Sequence, residues 1–105
     1  MARTVCESVH MVLEIAEFLI RSGEEDEFAA AYERAAHLLW DTPGCLSTRM
    51  TRGVESPSRF VLLVEWQNLT DHTEGFRGTA SFHAWREELG SFFAEPPRVE
   101  HTVDI

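Results

Sequence analysis

Residues Arg59 to Gln67, Arg-Phe-Val-Leu-Leu-Val-Glu-Trp-Gln, limit what this chain can fold into more than any other stretch. From Phe60 the run stays apolar until Glu65, and Trp66 follows at once. It is rich in Val, Leu and aromatics and too short for an independent helix, so it predicts a strand. Neighbouring strand residues point to opposite faces, which puts Phe60, Leu62, Val64 and Trp66 on one side and Val61, Leu63 and Glu65 on the other. Both faces are mostly apolar, so both need covering.

A chain of 105 residues is one domain with one core. Its apolar and charged fractions of 44% and 26% are those of a folded globular protein. The formal charge of −9, with the nine basic residues scattered, disfavours nucleic acid as a partner. Met1 to Ser8 has one Arg and no long apolar core, so it reads as a flexible tail of residues 1–8 rather than a signal peptide, with a single domain over 9–105. Glu14 and Glu17 interrupt the run from Val9 to Ile20, which excludes a membrane span there. Cys6 and Cys45 allow a disulfide, but two free thiols in a reducing, cytoplasmic setting is the expectation.

Val9 to Ile20 predicts the first strand, with Leu13 and Ile15 on one face and Val12, Glu14, Ala16, Phe18 and Ile20 on the other. Ser22 with Glu25 three residues on fits a capping box, and a helix follows whose stripe is Phe28, Tyr32, Ala35 and Leu39. Asp41-Thr42-Pro43-Gly44 ends it. Cys45 to Arg52 predicts a more polar, edge-like strand, with Leu46, Thr48 and Met50 opposed to Ser47, Arg49 and Thr51. Gly53 to Ser58 is a hairpin turn into the Arg59–Gln67 run. Asn68 caps a short helix reaching about Gly75. Gly75-Phe76-Arg77-Gly78 breaks the chain, and Thr79 or Ser81 opens a last helix with the stripe Phe82, Trp85, Leu89 and Phe92. Glu95-Pro96-Pro97 stops it before a fourth strand, Arg98 to Ile105.

The order β-α-β-β-α-β is the ferredoxin-like arrangement, an α+β fold with an antiparallel four-stranded sheet whose first and third strands lie in the middle. Four strands make a sheet roughly 19 Å wide, and two helices side by side cover roughly 20 Å. The helices therefore cover one face only. Val61, Leu63 and one side of the first strand are left over, which predicts packing against the sheet of an identical subunit.

Val-Leu-Glu-Ile-Ala-Glu-Phe at 12–18, Gly23 with its acidic neighbours and Phe28, Pro43-Gly44-Cys45-Leu46, and Leu-Leu-Val-Glu-Trp at 62–66 occur in order along these elements. His72, Gly75-Phe76-Arg77-Gly78, Phe82, Trp85 and Val99-Glu100-His101 continue the series. Together they resemble the antibiotic biosynthesis monooxygenase family of dimeric α+β barrels, over roughly residues 9 to 102. The resemblance implies a homodimer whose two sheets close a barrel, with one pocket per subunit between sheet and helices. Quinone-forming members oxidise phenolic or anthrone-type rings with O₂ as co-substrate and no flavin, metal or haem. A base takes the phenolic proton, the anion reduces O₂, and the protein supplies orientation and a dry site.

Two side chains are the candidates for chemistry. Trp66 matches the family's third-strand Trp and is suited to holding a flat ring, its indole N–H toward a substrate oxygen. His72 lies where members often have His or Tyr, and its reference pKa suits a general base. Phe28, Tyr32, Leu62, Phe76, Phe82, Trp85, Arg86 and Phe92 are candidate lining, Arg86 as a partner for a substrate anion. His83 and Glu87 sit four apart on a helix, too few to make a metal site, and His101 falls on the inward phase of the last strand. No Gly-rich phosphate loop follows a strand. Haem-degrading relatives use an Asn on the first strand, where this chain has only His10, Glu14 and Glu17. Some quinone-forming members carry an amide where this chain has Leu62. The expected activity is a cofactor-independent monooxygenase acting on a small aromatic or polyketide-derived compound. The alternatives are a non-catalytic binder of a small apolar ligand and a small-molecule isomerase or cyclase on the same fold.

Overall fold

The strand that needed two coverings lies in the middle of the sheet. In the computed structural model, which describes residues 11–105, the elements run β1 (Val12–Leu19), α1 (Glu25–Trp40), β2 (Cys45–Arg52), β3 (Arg59–Trp66), a π-helix (Asp71–Phe76), α2 (Ala80–Leu89), a 3₁₀ turn (Gly90–Phe92) and β4 (Arg98–Thr102). The sheet order is β2-β3-β1-β4, every pairing antiparallel. The two central strands are the two that are apolar on both faces, because only a central strand loses both its edges and both its faces to neighbours. The expected tail, Cys6 and the first residues expected for β1 lie outside the described residues.

Along β1 and β3 burial alternates with the strand period. Val12, Glu14, Ala16 and Phe18 face the helices together with Phe60, Leu62, Val64 and Trp66. On the opposite face Leu13, Ile15, Val61 and Leu63 are half-buried in the single chain. Both helices lie on the inner face: α1 buries Phe28, Ala31, Ala35 and Leu39, and α2 buries Trp85 and Leu89.

Four local expectations change. The start of α1 is not a Ser22 capping box; the Glu25 carboxylate reaches back to the Gly23 N–H and also accepts from Ser58, which ties the helix start to the β2–β3 hairpin. In β2 a bulge between Cys45 and Ser47 breaks the alternation, so Cys45 pairs with Trp66 and turns inward while Leu46 is half exposed. β4 stops at Thr102, leaving Val103 and Ile105 outside the ladder. The short helix after Asn68 widens into a π-helix, with Arg77 N–H bonded to the carbonyl of His72 five residues back.

Asn68 and Asp71 cap the start of that segment reciprocally, each side chain accepting from the other's backbone N–H at 3.2 Å. Beneath it lies Gly44, at φ +89°, a conformation side chains rarely adopt. A Cβ at Gly44 would overlap the Asp71 carboxylate. The Gln67 N–H bonds the Gly44 carbonyl at 2.7 Å, so the end of β3 and the start of β2 are tied together at the foot of the π-helix. Thr79 caps α2 by accepting from the Phe82 N–H, as its sequence position predicts.

Candidate functional site

Between the inner face of β1 and β4 and the π-helix and α2 lies a cavity of about 390 Å³. That volume suits a small-molecule site. Its walls are mainly apolar, with Leu62, Phe76, Phe82 and Trp85 among them, and the polar side chains in the lining are Glu14, His72, Arg77 and Arg86. Neither Arg77 nor Arg86 forms an ion pair with a described residue; Arg86 lies over the Phe82 ring at 5.9 Å.

The buried polar groups are connected. Trp66 donates its indole N–H to Oε1 of Glu14 at 2.9 Å. Nε2 of His72 lies 3.4 Å from the same oxygen, and Nδ1 of His72 is 2.8 Å from Nε2 of His101. The His72 ring stacks on the Trp66 indole, centroids 5.2 Å apart and planes 14° from parallel. The fold brings these four together for simple reasons. Glu14 and His101 are register partners on β1 and β4 and share a face, Trp66 ends β3 near them, and the π-helix lowers His72 between them.

Glu14 and His72 are the only described polar or charged residues counted as buried, at 5% and 4% exposure. Burial raises the Glu14 carboxyl above its usual range, opposed by the Trp66 hydrogen bond and by Arg77. Burial pushes the His72 imidazole down to about 4, with Arg77 and His101 adding to the effect. His101 is lowered by burial and by Arg77. Each group is therefore driven toward its neutral form. No described group bonds Oε2 of Glu14. Glu14 itself lines the cavity.

Of the ten residues singled out from sequence, His72, Leu62, Phe76, Phe82, Trp85 and Arg86 line the cavity. Trp66 does not: it is fully buried beneath His72, and its N–H is engaged by Glu14 rather than turned to a substrate oxygen. Phe28 is fully buried against Phe18, Phe60 and Phe92, far enough down the sheet to be core. Phe92 belongs to the same aromatic cluster, and Tyr32 packs edge-on to Trp85 from α1, outside the lining. His72 keeps no ring nitrogen clear of the chain, since one faces His101 and the other Glu14.

Glu14, Arg77 and His101 were not singled out from sequence. Glu14 carried a signal, a carboxylate on the apolar phase of a central strand, which demands a buried partner. His101 carried one too, the inward phase of β4; its pairing with His72 depends on register and on the width of the π-turn. Among the described residues no three His, Cys, Asp or Glu side chains are grouped to hold a metal.

Comparison with known proteins places this geometry. The family model described as antibiotic biosynthesis monooxygenase matches residues 11–88. An uncharacterized protein of Bacillus subtilis, YczJ, is 38% identical over 95 residues, spanning 90% of this chain and all of that protein. A crystal structure from Bordetella bronchiseptica, provisionally assigned as an antibiotic biosynthesis monooxygenase, is 36% identical and superposes with a TM-score of 0.88, covering 91% of this chain and 98% of its own. A solved structure from Nitrosomonas europaea, with the same provisional assignment, shares the fold at 21% identity and a TM-score of 0.81, covering 92% of each chain.

Proposed function

Because the chain belongs to the antibiotic biosynthesis monooxygenase family, we propose that it oxidises a small phenol or anthrone-type ring with O₂ and without a resident cofactor. The observation that carries this reading is a buried Glu14–His72 pair, Nε2 of His72 3.4 Å from Oε1 of Glu14, on the wall of an apolar cavity. Such a pair suits proton abstraction from a weak acid, because burial brings the pKa of a carboxyl toward the working pH. Oε2 of Glu14 accepts the proton, and His72 acts behind it through Oε1. Arg77 and Arg86 favour the phenolate that forms beside them. The anion then reduces O₂: the ring methylene loses two hydrogens and gains one oxygen as a carbonyl, and the other oxygen leaves as water. The apolar walls hold the ring flat and exclude bulk water.

The half-buried Leu13, Ile15, Val61 and Leu63 on the outer face support a homodimer formed sheet to sheet. A solution mass equal to the 12.0 kDa of one chain at micromolar concentration would overturn it.

Oxygen uptake with an anthrone-type phenol, chelator present, tests the activity. Uptake above the spontaneous rate in the wild type, lost in Glu14→Gln, is the expected result. Binding without uptake would favour a ligand-binding protein, and rearrangement of the substrate without oxygen would favour an isomerase.

A further inference from the structure

We propose that Glu14, His72 and His101 form a proton relay from the cavity to the edge of the sheet, with His101 as its exit. The inference rests on the reading of Glu14 as proton acceptor and deepens it.

The geometry supplies a continuous path. Glu14 lines the cavity, its Oε1 meets Nε2 of His72 at 3.4 Å, and Nδ1 of His72 meets Nε2 of His101 at 2.8 Å. The last member stands on β4, an edge strand, and is partly exposed where Glu14 and His72 are buried. Exposure thus rises along the path from cavity wall to surface. A carboxyl and a neutral imidazole each offer two sites, one to receive a proton and one to release it. The groups facing the path are Trp66 from β3, which donates to Oε1, Arg77 after the π-helix and Cys45 from β2.

The transfer balances without charging any member. Before it, Glu14 carries its proton on Oε1 toward Nε2 of His72, His72 carries one on Nδ1 toward His101, and His101 carries one on Nδ1. A substrate proton arriving on Oε2 sends the Oε1 proton to Nε2 of His72, the Nδ1 proton of His72 to Nε2 of His101, and the Nδ1 proton of His101 to water. Three neutral groups remain, with every proton on the opposite site. Oxygen reduction then consumes protons in the cavity, and the same path run backward delivers one and restores the starting arrangement. The 3.4 Å step exceeds a full hydrogen bond and must shorten for the transfer.

His101→Gln is the decisive variant, because glutamine bonds the His72 ring but cannot pass a proton through itself. In ¹⁵N-labelled protein the His72 ring should show one protonated and one bare nitrogen, and neither should titrate between about pH 5.5 and about pH 8. The Nδ1 signal should move in His101→Gln; an unmoved signal, or a His72 that titrates normally, would overturn the relay without reference to turnover. In oxygen uptake, His101→Gln should lower kcat roughly tenfold or more with KM unchanged. Added imidazole should restore His101→Ala. An unchanged kcat, a change confined to KM, or no rescue by imidazole would equally overturn it. Absence of uptake in the wild type would remove the proposed activity alone, leaving the nitrogen signals to decide the relay.

Discussion

The inner face of the sheet has two ends, and they are built on opposite principles. At one, Phe18, Phe28, Phe60, Phe92 and Phe93 fill the space between sheet and helices, with Phe28 against Phe60 at 4.8 Å and Phe18 stacked on Phe93 at 5.1 Å. At the other, the same strands carry Glu14 and Trp66, the covering elements are the π-helix and α2, and a cavity remains that reaches as far as Phe18 and Phe93. The same two strands support both. What differs is what lies over them: a regular helix sets a repeating stripe of apolar side chains down on the sheet, whereas the π-turn brings down a histidine with a phenylalanine and leaves room beside them. The second end gives up packing for a connected polar path.

The largest test of that division is Glu14→Gln. Glutamine can still accept from Trp66, so stability at pH 8 should hold or rise, while turnover falls roughly 10²- to 10⁴-fold; parallel loss of both in denaturation and uptake assays would break the comparison. Phe28→Ala at the filled end should cost about 3–5 kcal/mol in urea denaturation. Its effect on KM in the protein that remains folded should be small, because Phe28 is core and not lining.

Acid should expose the polar end. His72 is held at about 4 when folded against 6.5 when unfolded, so the unfolded chain binds its proton first. Its contribution is complete above about pH 6.5 and is lost as pH falls toward about 4, roughly 3 kcal/mol in all. Glu14 has the opposite sign: with its folded pKa raised, its contribution is present below the unfolded value and declines as pH rises through the raised one. Denaturation midpoints at about pH 7.5 and about pH 4.5 should therefore converge in His72→Gln relative to wild type. The smallest effect belongs to neither end: Leu46→Ser, at the bulged and exposed position, should change stability by less than about 0.5 kcal/mol.

These outcomes bear on what the residue order made readable. The β-α-β-β-α-β order, the central places of β1 and β3 and the faces of both strands follow from alternation, because a one-residue slip would turn every side chain over. Alternation fails where the backbone adds a residue, so the expected grouping of Leu46 with Thr48 and Met50 breaks at the bulge, which turns Cys45 in. The site was half legible. Trp66 and His72 were found by resemblance and do lie together, but their neighbours are set by register between strands 50 to 90 residues apart in the chain, which no local pattern encodes. The same holds for Phe28 and Tyr32: helical spacing marks them as inward but not which part of the inner face they meet.

Gly44 touches neither the cavity nor the polar path, yet it supports the segment that carries His72. A methyl group there would displace Asp71, the residue that caps that segment and immediately precedes His72. The separation of His72 from Glu14 and from His101 is then a matter of how the hinge of β2 seats the loop above it. Reshaping the cavity at its α2 wall, at Phe82 or Trp85, is expected to leave that alignment intact. A substitution at position 44 shifts it without altering a single lining side chain.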